Sequence, residues 1–195
     1  MSKGMKALLV IIGIIILAVI FIVLPLKNVY NNLVHLDEGV NNSWAQVENQ
    51  LQRRYDLIPN LVETVKGYAA HEREVLTEVT RARASVGGAK TPTELMQANN
   101  DLSNALARLL VVVERYPDLK ADQRFRDLQI ELAGTENRIA VERRRYNDTV
   151  RTFNQKVRSF PTNMIAGMFG FEKRDYFEAP EAAQEAPKVD FGTGR

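Results

Sequence analysis

The chain begins with a long run of hydrophobic residues in which no polar positions recur. Residues 7–26 are 20 consecutive residues without a charged side chain, and Lys27 ends the run. Twenty helical residues rise about 30 Å, which matches the hydrocarbon core of a bilayer. The run is longer than the apolar part of a typical cleaved signal peptide, and no small-residue cleavage site follows it. The pattern therefore predicts a transmembrane anchor at 7–26, preceded by a short flank at 1–6.

Beyond the anchor, hydrophobic residues recur at helical spacing. No segment of strand length alternates between apolar and polar residues, so strands are not predicted. Pro59, the Gly-Gly pair at 87–88 and Pro117 punctuate this pattern. Proline disfavours helical geometry in the preceding residue and suits the first turn of a new helix. Region 28–159 is therefore predicted to contain four helices, at 29–55, 59–86, 92–116 and 120–159. An alternative keeps 29–86 as one helix kinked at Pro59, which leaves three long helices.

The third and fourth predicted helices carry the clearest signals. Thr91, Pro92 and Glu94 form a start signal, with a capping hydroxyl, a first-turn proline and a glutamate three residues after the cap. Seven-residue spacing then appears at Leu95, Leu102, Leu109 and Tyr116, and again at Phe125, Leu132, Ile139, Tyr146, Phe153 and Phe160. Such spacing keeps one face inward in a gently supercoiled bundle. Because short connections make neighbouring helices antiparallel, the predicted fold is all-α: an N-terminal transmembrane helix followed by an antiparallel up-down four-helix bundle.

The chain changes character after the fourth predicted helix. Residues 160–171 are apolar, dotted with glycine, and too few to span a bilayer. From 172 to 195 the chain is rich in proline, alanine and glutamate, and this tail is predicted to be disordered because it cannot bury enough apolar surface. An up-down bundle returns its fourth helix toward the membrane, so segment 160–171 is expected to be membrane-proximal.

The charge distribution agrees with this placement. Between Arg138 and Arg158 there are seven basic and two acidic residues. Basic side chains close to anionic headgroups are attracted to them. We therefore predict that this end of the chain contacts lipid or a membrane-embedded partner, through Arg143, Arg144, Arg145, Arg151, Lys156, Arg158, Phe160, Met164, Ile165, Met168, Phe169 and Phe171. In the alternative, the basic face is solvated and the apolar segment folds under the bundle.

The charges that flank the anchor predict its orientation. Lys3, Lys6 and the terminal amine lie on one side, whereas Lys27 stands nearly alone on the other side until Arg53. The positive-inside rule then places the N-terminus in the cytoplasm and the helical domain outside it. The basic residues of the fourth helix favour the opposite orientation, but they lie farther from the span in sequence.

The composition offers little catalytic chemistry. The formal net charge is +2, which makes no case for nucleic acid as a partner, and there is no cysteine. His71 is followed by a glutamate but has no second histidine four positions on, so zinc would lack its ligand pair. We expect no enzyme activity, no cofactor and no metal. Asparagines inside the helices, including Asn41 and Asn154, are interpreted as mostly solvated, with some buried and hydrogen-bonded to fix the register.

Two runs in the first two predicted helices carry a family resemblance. From Trp44 to Arg54 the sequence is WAQVENQLQRR, and from Asp56 to Glu72 it is DLIPNLVETVKGYAAHE. Together with Phe153-Asn154, Phe160-Pro161 and Gly170-Phe171, these runs make the chain similar to the bacterial LemA family.

The resemblance implies a single-pass protein of the bacterial cell membrane with a helical-bundle domain, and it favours four helices over three. It implies no agreed catalytic residues. Genes of this family often lie beside those of membrane proteases or other membrane proteins, which hints at envelope maintenance. We therefore expect a membrane-anchored helical scaffold of the bacterial envelope that contacts lipids and forms a homo-oligomer. The alternative is an adaptor or sensor for a membrane protein such as a protease or a transporter.

Overall fold

Helices account for most of the molecule. The computed structural model describes residues 3–177. Its helices are α1 (Lys3–Tyr68), α2 (Arg73–Gly88), α3 (Pro92–Val113), α4 (Pro117–Ala121), α5 (Gln123–Arg158) and α6 (Thr162–Phe169). No strand occurs among these described residues, so the all-α prediction is confirmed.

The chain divides into two compact units, and α1 and α5 contribute residues to both. The anchor unit contains Met1–Ala45 and Arg145–Asp175. The core unit contains Gln46–Arg144 and Tyr176–Arg195, of which the structure describes the part up to Phe177.

The predicted helix break at Pro59 is wrong, because α1 continues through it to Tyr68. A proline inside a helix has no N–H to donate, so the carbonyl of Tyr55, four residues earlier, loses its intrahelical partner. Arg83 of α2 replaces that donor: its Nε donates to the Tyr55 carbonyl at 3.0 Å. The Arg83 guanidinium also lies 3.7 Å from the centroid of the Tyr55 ring. A contact from 28 residues away in sequence therefore satisfies the group that Pro59 leaves without a partner.

The chain leaves the first helix later, at residues 69–72, so the alternative of one helix over 29–86 is wrong as well. Ala69 is buried at this turn, and the Glu72 N–H donates to the Ala69 carbonyl at 3.0 Å. The Glu72 carboxylate accepts from Arg115 Nη2 and from the Tyr116 hydroxyl, both at 2.9 Å. Contacts with the two residues Arg115 and Tyr116, just beyond α3, thus hold a turn that contains no proline or glycine.

Side-chain caps define two of the other helix starts. The predicted start of α3 is confirmed, because Thr91 Oγ1 accepts from the Glu94 N–H at 3.1 Å and Pro92 occupies the first turn. The last long helix, α5, starts at Gln123 rather than at residue 120. Asp122 precedes it and accepts from the Phe125 N–H at 3.0 Å, which satisfies an otherwise unpaired first-turn donor. That hydrogen bond, together with one from the Tyr68 hydroxyl, lowers the pKa of the Asp122 carboxyl.

One hydrophobic cluster occupies the core unit. Helices α1, α2, α3 and α5 all contribute, with Leu119 of α4; the buried members include Ile58, Leu61, Val65, Leu76, Val79, Leu102, Leu109 and Phe125. The seven-residue spacing correctly marked inward positions as far as Phe153, all of them buried except Leu95, Tyr116 and Leu132, which are partly buried. It fails at Phe160, which is 81% exposed because α5 has ended at Arg158.

A buried arginine lies among these apolar side chains. Only 5% of Arg54 is exposed, and its Nη1 donates to Asn99 Oδ1 and to Ser103 Oγ at 2.9 Å each. The same nitrogen lies 2.9 Å from Glu136 Oε2, in an ion pair whose acidic side chain is 47% exposed. Burial lowers the pKa of the guanidinium, and the charge of Glu136 opposes that shift. Arg54 therefore fixes α1 against both α3 and α5, since a buried charge is costly without its partners.

In the anchor unit, residues of α1 before Ala45 contact residues of α5 after Arg145. The Trp44 and Tyr146 rings lie 5.3 Å apart between centroids, and Val40 and Phe153 are buried nearby in sequence. A Cβ at Gly39 would lie 3.7 Å from Thr149 Cγ2, which is ordinary contact distance. This unit also carries the apolar run and α6, and with them most of the predicted lipid-contact residues.

Candidate membrane-proximal surface

Helix α6 follows α5 after a three-residue turn and is the centre of the predicted contact surface. The turn contains a cis bond between Phe160 and Pro161. The helix ends at Gly170, which adopts the left-handed conformation at φ 75°, as glycine does readily at a helix C-terminus. The next residue, Phe171, donates its N–H to the Ala166 carbonyl at 2.9 Å, so the chain folds back toward the helix.

One side of α6 packs on the first turns of α1 after the apolar run. Ile165 and Ala166 are buried against Leu33, with Val29, Val157 and Phe171 packed around them. The Tyr30 ring centroid lies 4.7 Å from that of Phe169 and 5.9 Å from that of Phe171. Among the predicted lipid-contact residues, Ile165 and Phe171 thus lie on this inner side, where they fasten α6 to α1.

The other side of α6 presents large apolar side chains to the exterior. Phe160 is 81% exposed, Met164 67%, Met168 72% and Phe169 57%. The outer face of α6 is defined here as these four residues, of which Phe160 lies in the preceding turn and Phe169, at the border of the face, also contacts Tyr30. Met164 and Met168 are four residues apart and therefore lie one above the other on the helix. The structure thus divides segment 160–171 into a packed side and an exposed side. The hydrophobic content of the sequence alone did not distinguish the two sides.

The predicted basic residues fall into both units. Arg145, Arg151, Lys156 and Arg158 are exposed members of the anchor unit, and Arg151 pairs with Asp148 at 2.7 Å. Arg144 is exposed and belongs to the core unit. Lys156 and Arg158 are in the last turn of α5, directly before the outer face of α6.

Arg143 has a different environment from the other predicted basic residues. It is half-buried in the core unit, and its guanidinium carbon lies 4.4 Å from the centroid of the Phe177 ring. Burial lowers the pKa of Arg143, and the charge of Glu136 opposes the shift. Arg143 is therefore engaged in packing within the core unit.

The predicted disordered tail begins with an ordered stretch, so its proposed start at 172 is wrong. The C-terminal strap is defined here as residues 172–177. Within the anchor unit, the Arg174 N–H donates to Asn154 Oδ1 at 2.9 Å, and Asn154 Nδ2 donates to the Arg174 carbonyl at 2.8 Å. The Arg174 guanidinium donates to Asp37 Oδ1 at 3.1 and 2.8 Å. The predicted tail from 178 to 195 lies outside the described residues.

The sequence did not predict these hydrogen bonds between the strap and α5, although Asn154 itself was one signal of them. Asn154 lies inside α5 and is only 7% exposed, as the interpretation of some helix-internal asparagines as buried and hydrogen-bonded had allowed. Farther along the strap, the Asp175 carbonyl accepts from the Tyr146 hydroxyl at 2.9 Å. Burial raises the pKa of Tyr146, while the positive charge of Arg174 opposes the shift.

The core unit contains a cleft of about 450 Å³. It is lined by Glu48, Asn49, Leu51, Gln52, Tyr55, Val86, Gly87, Ala89 and Leu95. A Cβ at Gly87 would lie 3.0 Å from the Tyr55 hydroxyl oxygen, so this glycine leaves room for the ring at the cleft. Within residues 3–177, no three histidine, cysteine or acidic side chains are arranged to hold a metal ion.

The apolar run at the start of α1 matches the predicted anchor. One helix among the described residues is long and apolar enough to cross a membrane by length and composition, with a mean hydropathy of 2.6 in its most apolar window. Large apolar side chains from Ile11 to Leu26 are exposed by 41% to 79% where they are described. An all-helical chain with such an exposed apolar N-terminal helix defines a class of membrane-associated helical proteins.

Comparison with known proteins identifies the family. The sequence model of the LemA family matches residues 43–191, and the chain belongs to that family. The resemblance found in the sequence is thereby confirmed.

Several named relatives are similar along most of their length. Magnetosome protein MamQ 2 of Paramagnetospirillum magneticum is 26% identical, over 86% of this chain and 71% of the relative. Magnetosome protein MamQ of Magnetospirillum gryphiswaldense is 24% identical, over 93% of this chain and 76% of its own length. Protein LemA of Metamycoplasma hominis is 26% identical, over 84% of this chain and 73% of its own. The family and the apolar helix together indicate a membrane-associated protein.

Proposed function

We propose that this protein is a membrane-anchored helical scaffold of the bacterial envelope. The observation that carries the proposal is the continuity of α1, which includes both the apolar run and the buried core residues Ile58, Leu61 and Val65. The same helix therefore supplies both the apolar run that would span the membrane and buried residues of the core cluster. A chain that combines an anchor with a packed helical domain suits a protein that holds partners at a membrane.

The arrangement proposed for the helical domain is an antiparallel up-down four-helix bundle formed by α1, α2, α3 and α5. Two features support it. The connections at 69–72 and 89–91 are too short for anything but a reversal between neighbouring packed helices. The shared hydrophobic cluster draws residues from all four helices.

Self-association is the second part of the proposal, and the outward side of α5 is its expected surface. The α5 outer face is defined here as Ile130, Ala133, Gly134, Asn137 and Val141. Ile130 is 72% exposed and Val141 49%. A Cβ at Gly134 would meet nothing within 4 Å, so no contact inside the chain requires a glycine at this mid-helix position. A glycine in a helix interior costs about 1 kcal/mol relative to alanine, and it allows another helix to approach closely.

Cross-linking of the full-length protein in mild detergent and in membranes tests this surface. Ile130→Ser should lose most of the cross-linked dimer, because it removes the most exposed apolar side chain of the face. Val111→Ser on α3 is the matched control, since Val111 is also 72% exposed, and it should cross-link like the wild type. A strictly monomeric wild type, or equal losses in both variants, would overturn self-association through α5.

The proposed orientation follows from the charges that flank the apolar run, with the N-terminus in the cytoplasm and the helical domain outside it. The chain contains no cysteine, so a single introduced cysteine reports its own position without background. Thr93→Cys, at an exposed position, should react with an impermeant maleimide in intact spheroplasts, whereas Ser2→Cys should react only after lysis. The reverse pattern would place the domain in the cytoplasm.

A second candidate function is that of an adaptor for a membrane protease or transporter, and the cleft of the core unit favours it. The cleft exposes side-chain amides of Asn49 and Gln52 beside apolar Leu95, a mixture that suits a peptide segment. Gln52→Trp would fill the cleft, and Gln97→Trp, an exposed position on α3, is its control. Loss of one stoichiometric co-purifying membrane protein in the first variant but not in the second would favour this function over the scaffold.

A further inference from the structure

We infer that α6 is an interfacial helix whose outer face inserts among the headgroups and upper acyl chains of the leaflet from which α1 emerges. The ligand is therefore a lipid surface, contacted by Phe160, Met164, Met168 and Phe169. This inference rests on the proposed anchoring by residues 7–26 and adds a second, separate membrane contact to it.

The position of α6 along α1 supports the inference. Its contacts on α1 are Val29, Tyr30 and Leu33. Tyr30 is four residues beyond Leu26 and Leu33 is seven, which correspond to rises of about 6 and 10 Å. The headgroup region of a bilayer extends about 5–8 Å beyond each side of the hydrocarbon core. Tyr30 therefore lies within the headgroup region and Leu33 just beyond its outer edge, so α6, which packs on both turns, is placed in the outer part of the interface.

The chemistry of the outer face fits that depth. From Ser159 to Phe171 no residue is charged. Lys156 and Arg158 precede this uncharged segment, whereas Glu172, Lys173, Arg174 and Asp175 follow it with no net charge, so the basic border lies on its N-terminal side. An apolar face bordered by basic residues is the pattern of helices that lie in a membrane interface. Anionic headgroups near the border would attract those residues.

The inner side of α6 shows why the outer face stays uncovered by the described part of the chain. Ile165, Ala166 and Phe171 are already packed against α1 and α5. The outer face cannot turn inward without losing those contacts and the Phe169–Tyr30 ring contact at 4.7 Å. The helix is also only eight residues long, about 12 Å, which offers little length for packing against a partner helix. A lipid surface covers such a short helix without further requirements.

Tryptophan fluorescence of the full-length protein in liposomes tests the inference. The chain contains one tryptophan, Trp44, so Trp44→Phe provides a background without tryptophan. Reporters are then introduced one at a time: Met168→Trp and Met164→Trp on the outer face, and Val111→Trp as the control with the same 72% exposure as Met168. The liposomes contain phosphatidylcholine and phosphatidylglycerol, either without brominated lipid, with lipids brominated in the upper acyl chains, or, for a reporter inside the apolar run, with lipids brominated near the chain ends.

Both outer-face reporters should be quenched by the brominated lipids at least about twofold more than Val111→Trp, with emission shifted to the blue, as expected for shallow insertion.

A reporter inside the run, Ile16→Trp, separates this inference from the anchoring itself. Quenching of Ile16→Trp without quenching of Met168→Trp and Met164→Trp would overturn the interfacial role and leave the anchor intact. No quenching of Ile16→Trp would overturn the proposed anchoring. Blue-shifted outer-face reporters that brominated lipids do not quench would show a protein covering α6, and would also overturn the inference.

Discussion

The core unit and the α6 end of the anchor unit are stabilised in different ways. In the described part of the core unit, 16 buried hydrophobic residues form one cluster, and its buried charge, Arg54, is surrounded by partners. The α6 cluster of the anchor unit has three buried residues, and the strap beside it is held by hydrogen bonds to Asn154 and Asp37. Apolar burial is strong and non-directional, whereas hydrogen bonds contribute less and fix a geometry. Substitutions in the two units should therefore differ in both size and kind of effect.

The largest effect is expected from the core unit. Phe125 is fully buried, so Phe125→Ala should reduce the free energy of unfolding by about 3–5 kcal/mol through lost burial and the cavity it leaves. Chemical denaturation of the full-length protein in detergent, followed by helical circular dichroism, measures this loss. Val111→Ala, at an exposed position, should change the value by less than about 0.5 kcal/mol. Equal losses in the two variants would contradict the assignment of this cluster as the main source of stability.

The buried arginine gives the next largest effect, and its sequence neighbour provides the control. Arg54→Ala leaves Asn99 and Ser103 without their donor, so it should cost about 2–3 kcal/mol of unfolding free energy. Arg53 pairs with Glu131 at the surface, where both side chains are more than 40% exposed. Arg53→Ala should therefore cost below about 1 kcal/mol. The comparison fails if the two adjacent substitutions destabilise the protein equally.

A double-mutant cycle sharpens the account of α1 at Pro59. Arg83→Leu removes the donor to the Tyr55 carbonyl and should cost about 1–2 kcal/mol. In a Pro59→Ala background the new N–H of residue 59 can donate to that carbonyl, so the same change should cost less. The coupling free energy is expected to be about 1 kcal/mol, obtained from denaturation of the four proteins. Simple additivity would mean that Arg83 does not compensate for the proline.

The smallest effect is expected in the anchor unit and should be local. Asn154→Ala removes both hydrogen bonds to Arg174, so hydrogen exchange in the strap should become faster by about tenfold, which corresponds to about 1.4 kcal/mol. Exchange in α2 and α3 should not change. Asn137→Ala, an exposed position on the same helix, should leave the strap protected. Faster exchange in α2 or α3 after Asn154→Ala would show that the two kinds of stabilisation are not separable.

The parts of the fold that depend on local signals could be predicted from the sequence. The apolar run, the cap at Thr91 and the seven-residue spacing through Leu102 and Phe125 all act within a few turns of the same helix. Their meaning hardly depends on distant residues. The family resemblance rested on the same helical segments and was confirmed by the match over residues 43–191.

The parts that failed depend on contacts between distant positions. Pro59 predicts a helix break from its own sequence context. Arg83, 28 residues from Tyr55, donates to the carbonyl that the proline leaves without a partner inside α1. The turn at 69–72 contains no proline or glycine, and it is held by Arg115 and Tyr116, which both donate to the Glu72 carboxylate. The strap looked like the start of a polar tail, because its partners Asp37 and Asn154 lie 137 and 20 residues from Arg174. The outward side of α6 could not be predicted either, because it depends on where Leu33 packs, and the composition of segment 160–171 carries no information about that contact.

In the interfacial placement inferred for α6, its packing on Tyr30 and Leu33 would make its depth in the membrane sensitive to bilayer thickness. A helix whose apolar run is longer than the local hydrocarbon core responds by tilting. Residues 29–33 belong to the same hydrogen-bonded helix as the run, so a tilt of the span swings α6 with it. A thinner or thicker membrane would thus present Met164 and Met168 at a different angle to the headgroups. Hydrophobic mismatch, rather than any soluble ligand, would then be the quantity to which this end of the protein responds.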